Sequence, residues 1–235
     1  MSPLPPDGLA RADVPAAFDS GAAAYDRLVG VNPGYHRHLR ISAKRLGLPV
    51  RPRILDAGCG TGASTAALLA VAPGARITAI DASAEMLARA RAKPWPDTVE
   101  FVHTPVEELS HVDGTFDAVF AAYLLRNLAD PDAQLKRLHG LLRPGGRIAV
   151  HEYSVRDSRR ARWAWNAVCG AIVIPAGRLT TGDATLYRHL RRSVLAFDGV
   201  AELGDRLTRA GFHDVRTGTM PGWQRGIAHT FLGTA

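Results

Sequence analysis

Two rhythms of apolar residues alternate along the middle of the chain. Short apolar runs over 53–56, 76–80, 99–103, 116–122 and 148–153 predict strands buried on both faces. Between them, apolar positions recur at helical spacing over 64–71, 84–92 and 130–142. Strands that alternate with helices in this way predict an α/β fold with a parallel sheet covered on both faces.

The flanks read differently. Residues 1–15 are Pro-rich and predict a frayed, flexible N-terminus, and 16–48 read as a helical cap ended by Leu48-Pro49-Val50-Arg51-Pro52. After Ser154, residues 156–195 predict mostly helical material inserted beyond the fifth strand. An amphipathic helix over 199–210 stops at Gly211, and two closing strands follow at 212–217 and 226–232. The expected layout is a single domain: cap 16–50, core 51–155, helical lid 156–198, and closing helix and strands 199–235.

Composition narrows the class. A chain of 235 residues with 46% hydrophobic and 22% charged residues buries a core without staples. The net charge of +7 comes with only three lysines, Lys44, Lys93 and Lys136, the rest being Arg interleaved with acids, so no nucleic acid is expected. Cys59 and Cys169 are too few for a disulfide framework or a Cys-rich zinc site, the histidines show no ligand spacing with a third partner, and no metal is expected. The N-terminus lacks the apolar centre of a signal peptide, and the longest apolar stretch, 163–176, is interrupted by Asn166 and Gly170. That stretch is too short to span a bilayer. A cytoplasmic protein is expected. Flanked by Arg159, Arg160 and Arg162, the stretch leaves open a lid over a greasy substrate, peripheral contact with a membrane, or a core or homodimer interface.

The densest chemistry lies in Ile54-Leu55-Asp56-Ala57-Gly58-Cys59-Gly60-Thr61-Gly62. Glycines there let main chain turn tightly and approach a ligand, with a helix N-terminus behind. Gly58, Gly60 and Ala63 also satisfy the dinucleotide pattern G-x-G-x-x-G/A. The carboxylates argue against a diphosphate. Asp56 precedes the turn, where it can meet a cation or orient the loop. Asp81 ends the second strand 23 residues after Gly58, placed to accept both ribose hydroxyls. A nucleoside with a positive tail fits that charge pattern, and S-adenosylmethionine is one.

With LDAGCGTG, AIDAS and FDAVFAAYLLRNLADPDAQLKRLHGLLRPGGRIAVHEYS on the page, the chain resembles the class I methyltransferases of ubiquinone and menaquinone synthesis. Leu125-Arg126-Asn127-Leu128 and Leu142-Arg143-Pro144-Gly145-Gly146-Arg147 are the most specific matches. Phe18-Asp19-Ser20, Tyr25-Asp26, Gly34-Tyr35-His36-Arg37, 184–190 and Ala210-Gly211-Phe212 match as well. The resemblance implies a Rossmann-like, seven-stranded, mostly parallel sheet of order 3-2-1-4-5-7-6, the seventh strand antiparallel. It implies that Asp56, Gly58, Gly60, Thr61 and Gly62 hold the methionine end of S-adenosylmethionine and that Asp81 holds the ribose. Ala82 and Met86 would pack the adenine, Val106 and Ala122 would line the pocket, and Tyr25 would close over it. Two departures stand out: Pro105 occupies the position where relatives read adenine's amino group, and Leu39 replaces a Trp.

Methyl transfer to a hydroquinone ring needs alignment and a deprotonated neighbouring phenol. Arg126 and Asn127, just past the fourth strand, are candidates to stabilise and orient the phenolate. A salt bridge from Arg126 to Asp130 or Glu152 is the structural alternative. His36 is the candidate base, against a plain surface imidazole. His151 reads as a hydrogen-bonded core residue, and Glu152 as either a pocket acid or a structural one. The leading expectation is S-adenosylmethionine-dependent C-methylation of a quinone-like or other aromatic, lipophilic acceptor. An O- or N-methyltransferase of secondary metabolism, a non-catalytic cofactor-binding protein and an NAD-linked oxidoreductase are the rivals.

Overall fold

The computed structural model describes residues 34–109, 115–181 and 184–235. Helix α1 (Tyr35–Arg45) leads into β1 (Arg53–Ala57), α2 (Ala63–Val71), β2 (Arg76–Asp81), α3 (Ala84–Arg91) and β3 (Val99–His103). Then come β4 (Phe116–Ala122), a single 3-10 turn (Leu125–Asn127), α4 (Pro131–Gly140) and β5 (Leu142–Tyr153). The segment expected to form a lid consists of α5 (Arg159–Val168), a π turn (Cys169–Val173), α6 (Ile174–Thr181) and α7 (Thr185–Ala196). Helix α8 (Val200–Arg209), β6 (His213–Thr219) and β7 (Ala228–Thr234) close the chain.

The seven strands form one sheet of order β3-β2-β1-β4-β5-β7-β6. β1 to β5 pair in parallel, and β7 runs antiparallel to β5 and β6. The sheet is therefore the one the resemblance implied. Successive residues of a strand face opposite sides, so Ile54 and Phe120 enter one core and Leu55 and Val119 the other. The first core takes Leu39 and Ala43 of α1, Leu46 just past its end, and Leu68 of α2. The second takes Leu135 and Leu138 of α4 and Leu203 and Leu207 of α8. Each such fully buried Leu contributes roughly 1.5–3 kcal/mol, so the two layers of helix hold the sheet between them.

Helix starts follow from local chemistry. Ser83 accepts from the Met86 N–H at 3.1 Å, Asp130 from Ala133 at 3.0 Å ahead of Pro131, and Ser158 from Ala161 at 3.2 Å. The Pro144-Gly145-Gly146 run, whose residue types read as a turn that stops the preceding helix, is part of a strand instead. Arg143–Gly146 forms a bulge inside β5, whose pairing with β4 jumps from Phe116–Leu142 to Ala118–Arg147. Gly145 donates to the carbonyl of Ala235 and Gly146 accepts from its N–H, both at 2.8 Å, so the Pro-Gly-Gly run is tied down by the chain's last residue. The expected cap is described only from residue 34, and Tyr25 lies outside the described residues. No helix among the described residues is long and apolar enough to cross a membrane.

Candidate active site

The carboxyl ends of β1, β2 and β4 surround an open cavity of about 200 Å³. Open α/β sheets bind ligands at this edge, where the strand order reverses. Here β1 lies between β2 and β4. Glycine supplies the approach from β1. Gly58, Gly60 and Gly62 all have positive φ, at 73°, 54° and 89°. A Cβ on Gly60 would meet no protein atom within 4 Å, so that bend faces room for a ligand rather than packing.

Asp81 ends β2 and faces the bend. The Gly60 N–H donates to its Oδ2 at 2.7 Å, and the Ser83 N–H donates to its Oδ1 at 2.9 Å. The carboxylate is thus pinned before any ligand arrives. A carboxylate with two oxygens side by side is the acceptor type that two adjacent hydroxyls need. Ala82, Ser83 and Met86 continue the wall, followed by Thr104, Pro105, Val106 and Glu107 past β3. Ala122, Tyr123, Leu124, Arg126 and Asn127 form the β4 side. Gly58, Gly60, Asp81, Ala82, Met86, Val106, Ala122, Arg126 and Asn127 are therefore brought together on one cavity.

Four expected residues are not on it. Asp56 lies behind the turn, wholly buried. Its Oδ2 accepts from the Ser64 hydroxyl at 2.8 Å and the Thr65 hydroxyl at 2.7 Å, so of the two roles open to it, it orients the loop and the start of α2. Burial pushes its pKa up to about 7, opposed by the two hydroxyls and reinforced by Asp81. Thr61 is buried, its carbonyl taken by the Lys93 ammonium at 2.6 Å. Gly62 is glycine for packing: a Cβ there would stand 2.7 Å from Trp95 Cζ2. His36 sits exposed on α1, edge-on to Tyr35.

Arg126 bonds Glu152 at 2.5 Å, with 6% and 0% of the two side chains exposed, so the salt bridge weighed for Arg126 is present, with Glu152 rather than Asp130, on a side chain that also lines the cavity. Burial pushes Glu152 up and Arg126 pulls it down. His151 is a fully buried, hydrogen-bonded core histidine. Sequence reasoning passed over Ser83, Thr104, Glu107, Tyr123 and Leu124. The rule that singled out Arg126 and Asn127, position just past a strand's carboxyl end, applies equally to Tyr123 and Thr104.

An open glycine bend joined by a backbone bond to a carboxylate at the end of the next strand, on a sheet of this order, defines a class I methyltransferase that uses S-adenosylmethionine. Comparison with known proteins agrees. The model of the ubiE/COQ5 methyltransferase family matches residues 8–234, and the chain belongs to that family. It is 36% identical over 205 residues to the demethylmenaquinone methyltransferase of Clavibacter sepedonicus, covering 86% of this chain and 83% of that one. It is 32% identical over 209 residues to the ubiquinone/menaquinone biosynthesis C-methyltransferase UbiE of Pseudomonas putida, covering 86% and 82%. Among solved structures, phosphoethanolamine N-methyltransferase 2 of Haemonchus contortus superposes with a TM-score of 0.69 at 17% identity, covering 97% of this chain and 61% of that one. The plantazolicin methyltransferase BpumL gives 0.67 at 15%, covering 95% and 97%. These two share the fold.

Proposed function

We propose that the protein transfers the methyl group of S-adenosylmethionine to a ring carbon of a hydroquinone-like, lipophilic acceptor. The observation that carries the cofactor part is the Gly60–Asp81 pair beside open space; the relatives named for demethylmenaquinone and ubiquinone/menaquinone support the acceptor class. When bound, S-adenosylmethionine supplies an activated methyl on a sulfonium. Asp81 takes the ribose hydroxyls, the bare main chain at Gly58 and Gly60 admits the methionine end, and Ala82, Met86 and Val106 flank the adenine. Tyr25 is assigned to the cover of the site by the family resemblance.

The chain's own contribution is alignment and dryness. Orientation of a bound acceptor supplies about 7–11 kcal/mol of a two-body barrier. Arg126 and Asn127 stand at the acceptor end, where they stabilise and orient a phenolate oxygen. Held there, S-adenosylmethionine would supply the methyl to the ring carbon and depart as the thioether, and rearomatisation of the acceptor would release the ring proton to solvent. Incubation of the protein with S-adenosylmethionine and a reduced short-chain demethylmenaquinone, followed by mass spectrometry and NMR of the product, tests this. A methyl on carbon supports the proposal. A methyl on oxygen, or cofactor binding without turnover of any aromatic acceptor, overturns it.

The lid supports access from a membrane surface. Trp163, Ile172 and Leu179 stand 75%, 61% and 87% exposed along α5–α6, beside exposed Arg159, Arg160, Arg162 and Arg178. An apolar stripe flanked by guanidinium groups matches an anionic bilayer. Co-sedimentation with anionic vesicles, lost in Trp163→Ser/Leu179→Ser, is expected. A chain that ignores vesicles but dimerises through this stripe would refute it.

A further inference from the structure

Below the β4 side of the cavity, a line of polar side chains crosses the core. The Tyr123 hydroxyl lies 2.9 Å from His151 Nε2, and His151 Nδ1 lies 2.8 Å from Ser42 Oγ. Ser42 Oγ lies 2.7 Å from Thr230 Oγ1, which accepts from Arg45 at 2.8 Å. Ser42, His151 and Thr230 are wholly buried. The line thus joins β4, β5, α1 and β7 through otherwise apolar packing, where each unmade bond would be costly.

The line has a direction. A guanidinium only donates, so Thr230 accepts from Arg45 and gives its own proton to Ser42. Ser42 then donates to Nδ1 of His151, the ring proton sits on Nε2, and the imidazole donates to the Tyr123 oxygen. The reverse direction would leave the buried Thr230 proton without an acceptor. Burial and the nearby His38, Arg45, His229 and Arg126 push the His151 pKa down to about 3, which keeps the ring neutral, as one donor and one acceptor require.

Tyr123 is the hub that this line holds. Its φ of 57° lies in the left-handed region that a bulky residue avoids. Its ring stacks on Tyr35 at 5.7 Å and lies 4.6 Å from Tyr153. Its carbonyl accepts from Arg126 at 3.0 Å and from Asn127 at 3.1 Å. Any tilt of Tyr123 therefore moves both residues assigned to the acceptor's oxygen. We infer that Tyr123 is a positioning residue for the methyl acceptor, and that the directed chain Arg45–Thr230–Ser42–His151 locks it in place from the far side of the core. This rests on the methyltransferase reading above.

Tyr123→Phe keeps the ring and removes the hydroxyl; Thr230→Val keeps the shape and cuts the chain at its far end. Each is expected to lower kcat/KM for the acceptor about tenfold, with S-adenosylmethionine affinity by calorimetry within about twofold of wild type. Ser42→Ala replaces Thr230→Val if the latter does not fold. Nitrogen-15 NMR of labelled histidine, independent of turnover, is expected to show His151 as the Nε2–H tautomer. An Nδ1–H tautomer, unchanged acceptor kinetics in both variants, or an equal loss of cofactor affinity would overturn the inference. A wild-type protein that binds the cofactor and methylates no aromatic acceptor would instead overturn the proposed reaction, while the tautomer still decides the chain.

Discussion

Asp56→Asn isolates the charge buried behind the glycine bend. The folded-state pKa of Asp56 is about 7, against 3.8 for the free side chain. The folded protein therefore holds this proton more tightly than the unfolded chain does. Between those two values the unfolded chain loses the proton first, so this group makes stability fall as pH rises, until both states are ionised above about 7. Three units at 1.36 kcal/mol each give a cost of about 4 kcal/mol, absent at pH 4 and complete by pH 8. Asn keeps an oxygen for the Ser64 and Thr65 hydroxyls and has no charge to bury. Urea unfolding from pH 4 to pH 8 should then show the variant gaining on wild type by about 4 kcal/mol across that range. Parallel pH profiles for the two proteins would mean that Asp56 ionises like an ordinary carboxylate, and the reasoning would fail.

Three further outcomes follow from the geometry. Asp81→Ala removes the acceptor held by Gly60 and Ser83 and should raise the dissociation constant for S-adenosylmethionine about tenfold or more in calorimetry. Gly62→Ala, forced against Trp95 at a φ of 89°, should lose roughly 1–3 kcal/mol in urea unfolding while the folded fraction binds cofactor normally, and Trp95→Leu beside it should restore part of that loss. Arg126→Met leaves Glu152 buried without its cation and should cost roughly 3–5 kcal/mol at neutral pH, and less as the pH is lowered, because burial already raises the Glu152 pKa and loss of the cation favours its protonated form further.

The alternation of strands and helices, the helical stretch after the fifth strand and the cavity edge were legible because they depend on period and punctuation, while the strand order came with the family resemblance. Apolar runs and glycines after strands act locally, and a right-handed crossover leaves few ways to assemble them. What could not be read was depth. Asp56 and Asp81 look alike in sequence, each ending a strand, yet β1 is central and buries its acid at 0% exposure while Asp81 reaches the cavity. Gly62 reads like Gly60, but its need for glycine comes from Trp95, a contact between residues more than thirty apart in the chain. The polar chain from Arg45 to Tyr123 spans helix and three strands, and its members show no spacing that links them.

That difference in depth changes the electrostatic argument for the cofactor. A pair of carboxylates beside the bend would attract a sulfonium by charge alone. With Asp56 buried and holding its proton until about pH 7, the negative charge presented to the cavity beside the bend is that of Asp81. Asp81 accepts from two backbone N–H groups, which hold its charge in place at the cavity wall. Selection against a pyrophosphate then rests on two things. The Gly60 N–H, which a phosphate would need, is already given to Asp81, and the carboxylate stands where the phosphate would lie. The bend discriminates by having spent its donor, and a cationic nucleoside is favoured because it asks this loop for space and an acceptor.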